Sequence, residues 1–346
     1  MNKTLLVVLV SGAFSSAAFA QSSVTVYGKL DEAVGKAIGS KTKQLADTAN
    51  QSRIGFRGQE DLGNGLGAFF VLEHRLSPDT GTAYNSAKFW QGGSYLGLKT
   101  NVGTVTLGRQ YTSDYQNVRN QIDPFAGETL AALREIGTAG GAGTGNPGTI
   151  GQPRFDKALK YSHTFSGFTV SADIASRTQV QGINAAQALI PLGADSNRPW
   201  SAALSYAKDG WWAGIGYEDS QNTNDKLLNL GGRFKVGPAT LSAGYATGRN
   251  QLDAKVNGVL VGAIVNVGAG DIKLGYAGLR SKAPGANDWT TQNSRFGVGY
   301  HYNLSKRTKV FVDIARDSHG AGEYNAANSL ARTEKNAYDL GLQHNF

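Results

Sequence analysis

The sequence predicts an all-β protein, a 16-stranded antiparallel transmembrane β-barrel with a long third external loop folded into the barrel. Three observations predict it. An export signal opens the chain, no later apolar run is long enough to cross a membrane as a helix, and strand-like segments are joined by connections that alternate between short and long up to Phe346.

The signal comes first. Met1-Asn2-Lys3 is a basic start, Leu5 to Phe19 is apolar, and Ala18-Phe19-Ala20 before Gln21 is a small-x-small cleavage site. The apolar segment falls short of the roughly 20 residues a spanning helix needs. Residues 1–20 are therefore read as a cleaved signal peptide and residues 21–346 as the barrel domain.

Composition bounds what such a domain contains. Gly (46), Tyr (14) and Phe (14) are abundant, while Pro (8) and Met (1) are scarce, which suits many close-packed strands with aromatic belts. Cys (0) removes thiol catalysis, disulfides and cysteine metal sites. An exported chain without disulfides needs another source of stability, and a closed hydrogen-bonded barrel supplies one. The net charge is +8, or +7 once Lys3 leaves with the signal, but the basic residues are scattered singly rather than clustered with aromatics. Nucleic acid is not an expected partner.

Alternation gives sixteen strands in order: 23–33, 52–59, 67–75, 89–99, 104–110, 156–165, 168–176, 201–207, 211–218, 227–236, 239–247, 257–267, 272–280, 293–303, 308–316 and 335–346. Short turns fall at Asp61-Leu62-Gly63-Asn64-Gly65, Asn101-Val102-Gly103, Ser166-Gly167, Asp209-Gly210, Gly237-Pro238, Ala269-Gly270-Asp271 and Ser305-Lys306-Arg307. An even strand count with both termini on the short-turn side is the layout of a bacterial outer-membrane barrel with periplasmic turns and external loops. A soluble β-sandwich also uses such turns but does not keep so strict a rhythm.

Parity assigns the faces. Tyr338, Leu340, Leu342 and Phe346 lie opposite Asp339, Gly341, Gln343 and Asn345, with His344 on the apolar side, and Leu228, Leu230, Phe234 and Val236 lie opposite Asn229, Arg233 and Lys235. A basic residue facing lipid at mid-depth costs ~2–4 kcal/mol, so the charged face is the inside. Lumenal basic residues by parity are Lys29, Arg53, Arg57, Arg154, Lys160, Arg233, Lys235, Lys273, Arg295 and Lys309; the acids are Asp31, Glu73, Asp173, Glu218, Asp313 and Asp339. Arg109 shares its face with Val105 and Leu107 and is placed at a loop base or subunit contact.

One connection breaks the pattern. About 45 residues run from Tyr111 to Phe155, against roughly 8 to 23 in the other long loops. It holds Ile122-Asp123-Pro124-Phe125, then a stretch from Glu128 to Glu135 that reads as a short helix, then the glycine-rich 137–151. Folded inward, this segment (about 111–155) narrows the mouth. Its Gly143-Thr144-Gly145-Asn146-Pro147-Gly148 matches G-x-G-x-x-G in form only, because no helix signal follows and Pro147 interrupts it.

Catalysis is not expected. None of His74, His163, His301, His319 and His344 sits in a nucleophile motif, and Ser162 beside His163 points to the other face of its strand. The histidines lack metal-ligand spacing, and no cofactor is expected. A sugar-specific channel asks for a lumenal aromatic ladder, whereas only scattered candidates such as Tyr27, Tyr95 and Trp212 have inward parity.

Several segments carry a family resemblance: Val24-Thr25-Val26-Tyr27-Gly28, the run Ser52-Arg53-Ile54-Gly55-Phe56-Arg57-Gly58-Gln59-Glu60-Asp61-Leu62-Gly63-Asn64-Gly65, Val105-Thr106-Leu107-Gly108-Arg109-Gln110, Leu304-Ser305-Lys306-Arg307-Thr308 and the terminal Phe346. Together they resemble the general porins of Gram-negative outer membranes, β-proteobacterial branch, over the whole mature chain. The resemblance implies a homotrimer with periplasmic termini, set among outer-membrane lipid and lipopolysaccharide. It implies passive passage of ions and small hydrophilic solutes, inorganic anions among them, through a bore narrowed by the third loop folded into the pore. Arginines of the second strand and of the segment entering the sixth line that constriction in anion-selective members, and here they match Arg53 and Arg154. A fourth-strand arginine of some members has no counterpart, since Trp90-Gln91-Gly92-Gly93 stands there, so the expected anion preference is mild. Arg57 and Lys160 complete the expected basic side, and the loop acids Asp114, Asp123 and Glu128 are expected to oppose it. The competing expectations are a channel specific for phosphate or organic anions, which guanidinium groups bind in bidentate fashion, and, more distantly, a barrel hydrolase.

Overall fold

The computed structural model describes residues 23–40, 52–138, 151–176, 198–220, 225–250, 253–318 and 334–346. The signal segment, nearly all of the glycine-rich stretch (139–150) with its G-x-G-x-x-G match, and His319 lie outside them. Sixteen strands form the wall. They are β1 (Ser23–Lys36), β2 (Ser52–Gly63), β3 (Leu66–Ser77), β4 (Gly93–Thr100), β5 (Gly103–Tyr111), β6 (Arg154–Phe165), β7 (Phe168–Ala175) and β8 (Trp200–Lys208). The second half comprises β9 (Trp211–Asp219), β10 (Lys226–Val236), β11 (Ala239–Arg249), β12 (Lys255–Val267), β13 (Gly270–Lys282), β14 (Thr290–Asn303), β15 (Thr308–Asp317) and β16 (Asn336–Asn345). A two-residue strand, Thr82–Ala83, pairs with the end of β3. Each wall strand pairs antiparallel with the next, and β1 pairs with β16, so the sheet closes.

All sixteen expected strands are present, with ends that mostly run a residue or two beyond the alternation. The fourth is the exception: it starts at Gly93 rather than Phe89. Phe89 and Trp90 are apolar but sit in a turn, where Phe89 stacks on His74 at 4.2 Å and meets Trp90 edge-on at 4.9 Å. The two-residue hairpins Ser166-Gly167 and Asp209-Gly210 hold both residues at positive φ, the geometry whose twist matches the flanking strands.

Polarity is inverted relative to a soluble protein. Lys29, Asp31, Asn229, Asp313, Asp339 and Gln343 are buried, while Leu96, Leu107, Val261, Ile314, Leu340 and Leu342 are exposed. On β16 the alternation is strict, with 337, 339, 341 and 343 inside and 338, 340, 342 and 344 outside. Closure is completed at the last residue, where the Phe346 and Gly28 amides each donate to the other's carbonyl, at 3.1 and 3.0 Å.

The inside is not wet all round. The segment between β5 and β6 contributes Val118, Ile122, Phe125, Leu130, Leu133 and Ile136 to an apolar cluster with Trp212, Leu227, Val256, Leu260 and Leu279 of the wall. Glycines on β10 to β14 make room for it. A Cβ on Gly231 would lie 2.8 Å from Ile122, one on Gly262 2.7 Å from Pro124, and one on Gly275 2.5 Å from Leu133. The same segment bonds to β1 through Glu128 and to β14 through Leu130 and Ala132, whose carbonyls accept from Arg295. A segment that meets wall strands on opposite sides of a closed barrel lies within it.

Candidate functional site: the inserted segment and its basic wall

The root of the segment is a short helix, α1 (Ser113–Asn117), capped by the Thr112 hydroxyl accepting from the Tyr115 amide. Asp173 on β7 accepts from the Ser113 amide at 2.6 Å, Ser201 on β8 accepts from the Asp114 amide at 2.8 Å, and Asn229 on β10 donates to the Asp114 carboxylate at 2.7 Å. Burial pushes the Asp114 carboxyl up to about 6, against the opposing pull of Arg119 and the Asn229 hydrogen bond. Lys160 donates to the Tyr111 carbonyl and to Gln116, at 3.1 and 2.6 Å. Asp114 and Lys160, expected at the constriction, are thus spent on seating its root.

The middle of the segment corrects the helix expected over Glu128–Glu135. Helix α2 spans only Arg134–Gly137, and residues 128–133 turn without helical bonding. Asp123 is the cause. Its carboxylate accepts the amides of Phe125, Gly127, Leu133 and Arg134 at 2.9–3.1 Å, and the Thr129 hydroxyl accepts from the Ala131 amide. Side chains that satisfy the backbone locally compete with a helix, and here they win. Asp123 is therefore an internal organiser of the segment and makes no ion pair with the basic wall residues among the described residues.

Glu128 is the acid that meets the wall. Its carboxylate lies 3.2 Å from Lys29 on β1, 3.7 Å from Arg53 on β2 and 3.6 Å from Lys309 on β15. Burial alone would raise its pKa, but Lys29, Lys309 and Arg53 outweigh it and hold the carboxyl down at about 2. A carboxyl depressed from 4.5 gives its full stabilisation above pH 4.5, roughly 3 kcal/mol, and loses it as pH falls through about 2. The difference in unfolding free energy between wild type and Glu128→Gln should accordingly stay constant from pH 7 to about 4.5 and vanish toward pH 2. A difference that disappears already by pH 5 would contradict this grip.

A second basic group stands beside the first. Arg75 on β3, the cross-strand neighbour of Arg53, donates to the Tyr111 hydroxyl at 2.9 Å and bridges Glu73 at 3.1 Å. Arg154 donates to the same hydroxyl and to the Gly92 carbonyl, and its guanidinium lies 4.0 Å above the Tyr111 ring. Tyr111 stacks on Tyr115 at 4.9 Å, and the Arg134 and Arg119 guanidinium groups lie 4.9 and 5.2 Å from the Tyr115 ring. Arg57 stands apart over Tyr27, at 5.3 Å.

Plain parity does not carry through the start of β6. A bulge at Lys157, with φ 52°, and a register shift between Gly108 and Gln110 interrupt the β5–β6 ladder. Simple counting puts Arg154 and Lys160 on one face, but the bulge shifts the pattern between them: Lys160 is buried inside as counted, and Arg154 reaches the group from the first position of its strand. Arg75 shares the odd-numbered parity of Glu73, which was the available signal for it. Arg109 lies at a loop base as expected, bonded to the Gln91 carbonyl and paired with Asp156, which also pairs with Lys88.

A closed barrel, apolar outside, charged inside and part-filled by its own segment, is a channel protein of the membrane. Likeness to known proteins says which kind. A family model described as Gram-negative porin matches residues 5–322. Outer membrane porin protein 32 of Delftia acidovorans is 31% identical over 91% of this chain and 89% of its own length. A major outer membrane protein P.IB of Neisseria lactamica is 26% identical over 99% and 100%. The solved anion-selective porin from Comamonas acidovorans superposes with a TM-score of 0.74 at 25% identity, covering 94% of this chain and all of that one. OmpT of Vibrio cholerae in its trimer form gives 0.65 at 17% identity over 94% and 99%, a likeness of fold. The chain belongs to the Gram-negative porin family: it is an outer-membrane channel for passive diffusion, not an enzyme.

Proposed function

We propose that this porin passes small hydrophilic solutes with a mild preference for anions, that the segment between β5 and β6 sets the constriction, and that Arg53, Arg75 and Arg154 form its basic side, with Arg57 nearer the bore's margin. The observation that carries the reading is one of charge balance. Five basic side chains (Lys29, Arg53, Arg75, Arg154 and Lys309) gather beside the segment, against the three carboxylates they meet, Asp31, Glu73 and Glu128. Fixed positive charge in a narrow aqueous bore raises the local concentration of anions. The anion selectivity of the Comamonas porin points the same way. Glu128 supplies the acidic side in contact with the cations rather than across a gap, which tempers the preference. A substrate-specific role for phosphate or organic anions gains nothing from this geometry.

The mature chain starts at Gln21 on this reading, with residues 21–346 as the barrel domain, and it works as a homotrimer among lipid and lipopolysaccharide, as the trimer form of the Vibrio cholerae neighbour suggests by analogy. The test is the reversal potential of the refolded protein in a planar bilayer under a salt gradient. Wild type should favour chloride, and Arg53→Ala/Arg154→Ala should move the potential toward zero or past it. An unchanged potential in the double variant would remove the basic constriction from the account while leaving the channel.

A further inference from the structure

Rings scattered along the sequence meet on the inner wall below the constriction. Counting from Arg53 toward the short turns, Tyr27 on β1 stands one level down, Arg57, Val71 and Tyr95 on β2 to β4 stand two levels down, and Phe69 on β3 stands three. All have the inward parity of their strands. Phe69 and Tyr95 meet edge to face at 6.4 Å, and the Arg57 guanidinium lies 5.3 Å from the centre of the Tyr27 ring. Glycines on neighbouring strands let two of the rings lie against the wall: a Cβ on Gly55 would fall 2.5 Å from the Tyr27 ring, and one on Gly97 would strike Phe69.

This patch is open to the bore. Tyr27, Phe69, Val71 and Tyr95 are partly exposed and Arg57 is exposed, although all five face inward. Trp212 with Arg233, a similar pair at 5.2 Å on β9 and β10, is shut instead, because Trp212 is buried with Val118 and Ile122 of the inserted segment. Charge sharpens the contrast. The Arg57 guanidinium has no ion-pair or hydrogen-bond partner among the described residues, and the nearby acid, Glu73, is already engaged by Arg75 at 3.1 Å and by the Tyr27 hydroxyl at 3.3 Å. Asp61, nearer the turn, accepts from the Gly63 amide.

We infer that Tyr27, Arg57, Tyr95 and Phe69 form a station for aromatic carboxylates moving along the bore. The inference rests on the bore being the path of anions and goes beyond that reading, since the station lies outside the constriction and changes how long a solute dwells, not whether it is admitted. A guanidinium stacked on a ring keeps its N–H edge free to hold a carboxylate in bidentate fashion. The solute's own ring then lies over Val71, across strands ~4.8 Å apart, and meets Tyr95 and Phe69. Aliphatic carboxylates satisfy Arg57 equally but offer the rings no π face.

The test compares benzoate with cyclohexanecarboxylate, of equal charge and similar size but without a π face, as blockers of chloride current through single channels of the refolded protein. In wild type the half-blocking concentration should be about two- to tenfold lower for benzoate, the worth of one aromatic pair. Tyr95→Leu/Phe69→Leu should bring the two solutes level, and Phe69→Leu alone should narrow the gap if the double variant folds poorly. Tyr95→Phe should keep the gap, as should Leu96→Ala on the lipid face of the same strand. Arg57→Gln should raise both concentrations together. The proposal falls if wild type does not distinguish the two solutes, if the gap survives loss of the rings, if Leu96→Ala closes it equally, or if Arg57→Gln moves neither concentration. A wild type that keeps the gap but shows no preference for chloride under a salt gradient upholds the station and overturns the basic constriction.

Discussion

Replacing Gly35 with valine should leave the barrel unable to close. Gly35 pairs with Asp339 across the β1–β16 seam, and a Cβ there would overlap the Tyr338 carbonyl oxygen and lie 2.7 Å from the Asp339 Cα. Those are backbone atoms that cannot turn aside. Gly28, lower on the same seam, is constrained too, since its Cβ would fall 2.5 Å from the Arg53 carbonyl and against the Phe346 ring. In lipid an unpaired strand edge leaves backbone groups unsatisfied, at several kcal/mol each, so partial closure is not a stable alternative. Heat-modifiable mobility on gels after refolding into detergent measures the folded fraction. It should fall nearly to zero for Gly35→Val and stay at wild-type level for Gly232→Ala, whose Cβ has its nearest neighbour at 3.8 Å. Normal folding of Gly35→Val would show that the seam can slip to admit a side chain.

The second large effect is expected at Asp123→Ala. That carboxylate accepts four backbone amides, and hydrogen bonds to a charged acceptor are worth about 1.5–3 kcal/mol each, with buried donors left unmet when it goes. Residues 123–134 should lose their fixed path while the wall persists, because no wall strand depends on Asp123. Single-channel conductance should rise, and larger neutral solutes should enter proteoliposomes that wild type excludes in a swelling assay. Wild-type conductance in Asp123→Ala would mean that the apolar seat of Ile122, Phe125 and Leu133 alone holds the segment.

Much of this architecture is legible in the sequence. Period-two alternation and turn chemistry locate every wall strand, because lipid on one side and water on the other impose opposite demands on successive residues. Arg53 and Glu128 are legible as members of one site. The roles of Asp114, Asp123 and Lys160 are not, since a residue's charge does not say whether it faces solvent or satisfies a buried amide. Arg154 and Lys160 are mispaired by counting because one positive-φ residue, Lys157, resets the count. The dry half of the interior escapes notice because its signal is an absence of side chains: Gly231, Gly244, Gly262 and Gly275 on the inner face mark the place where another part of the chain lies.

The inserted segment draws its partners from across the whole chain, and this fixes an order of events. Glu128 needs Lys29, 99 residues earlier, and Lys309 near the other end; Leu130 and Ala132 need Arg295, more than 160 residues later. While the chain is still emerging, half of the seat does not exist. Contacts of such long sequence separation form late, after the entropy of closing the intervening chain has been met. The β1–β16 seam joins residues still farther apart, so the seat is complete only once the strands of both chain ends stand in the wall.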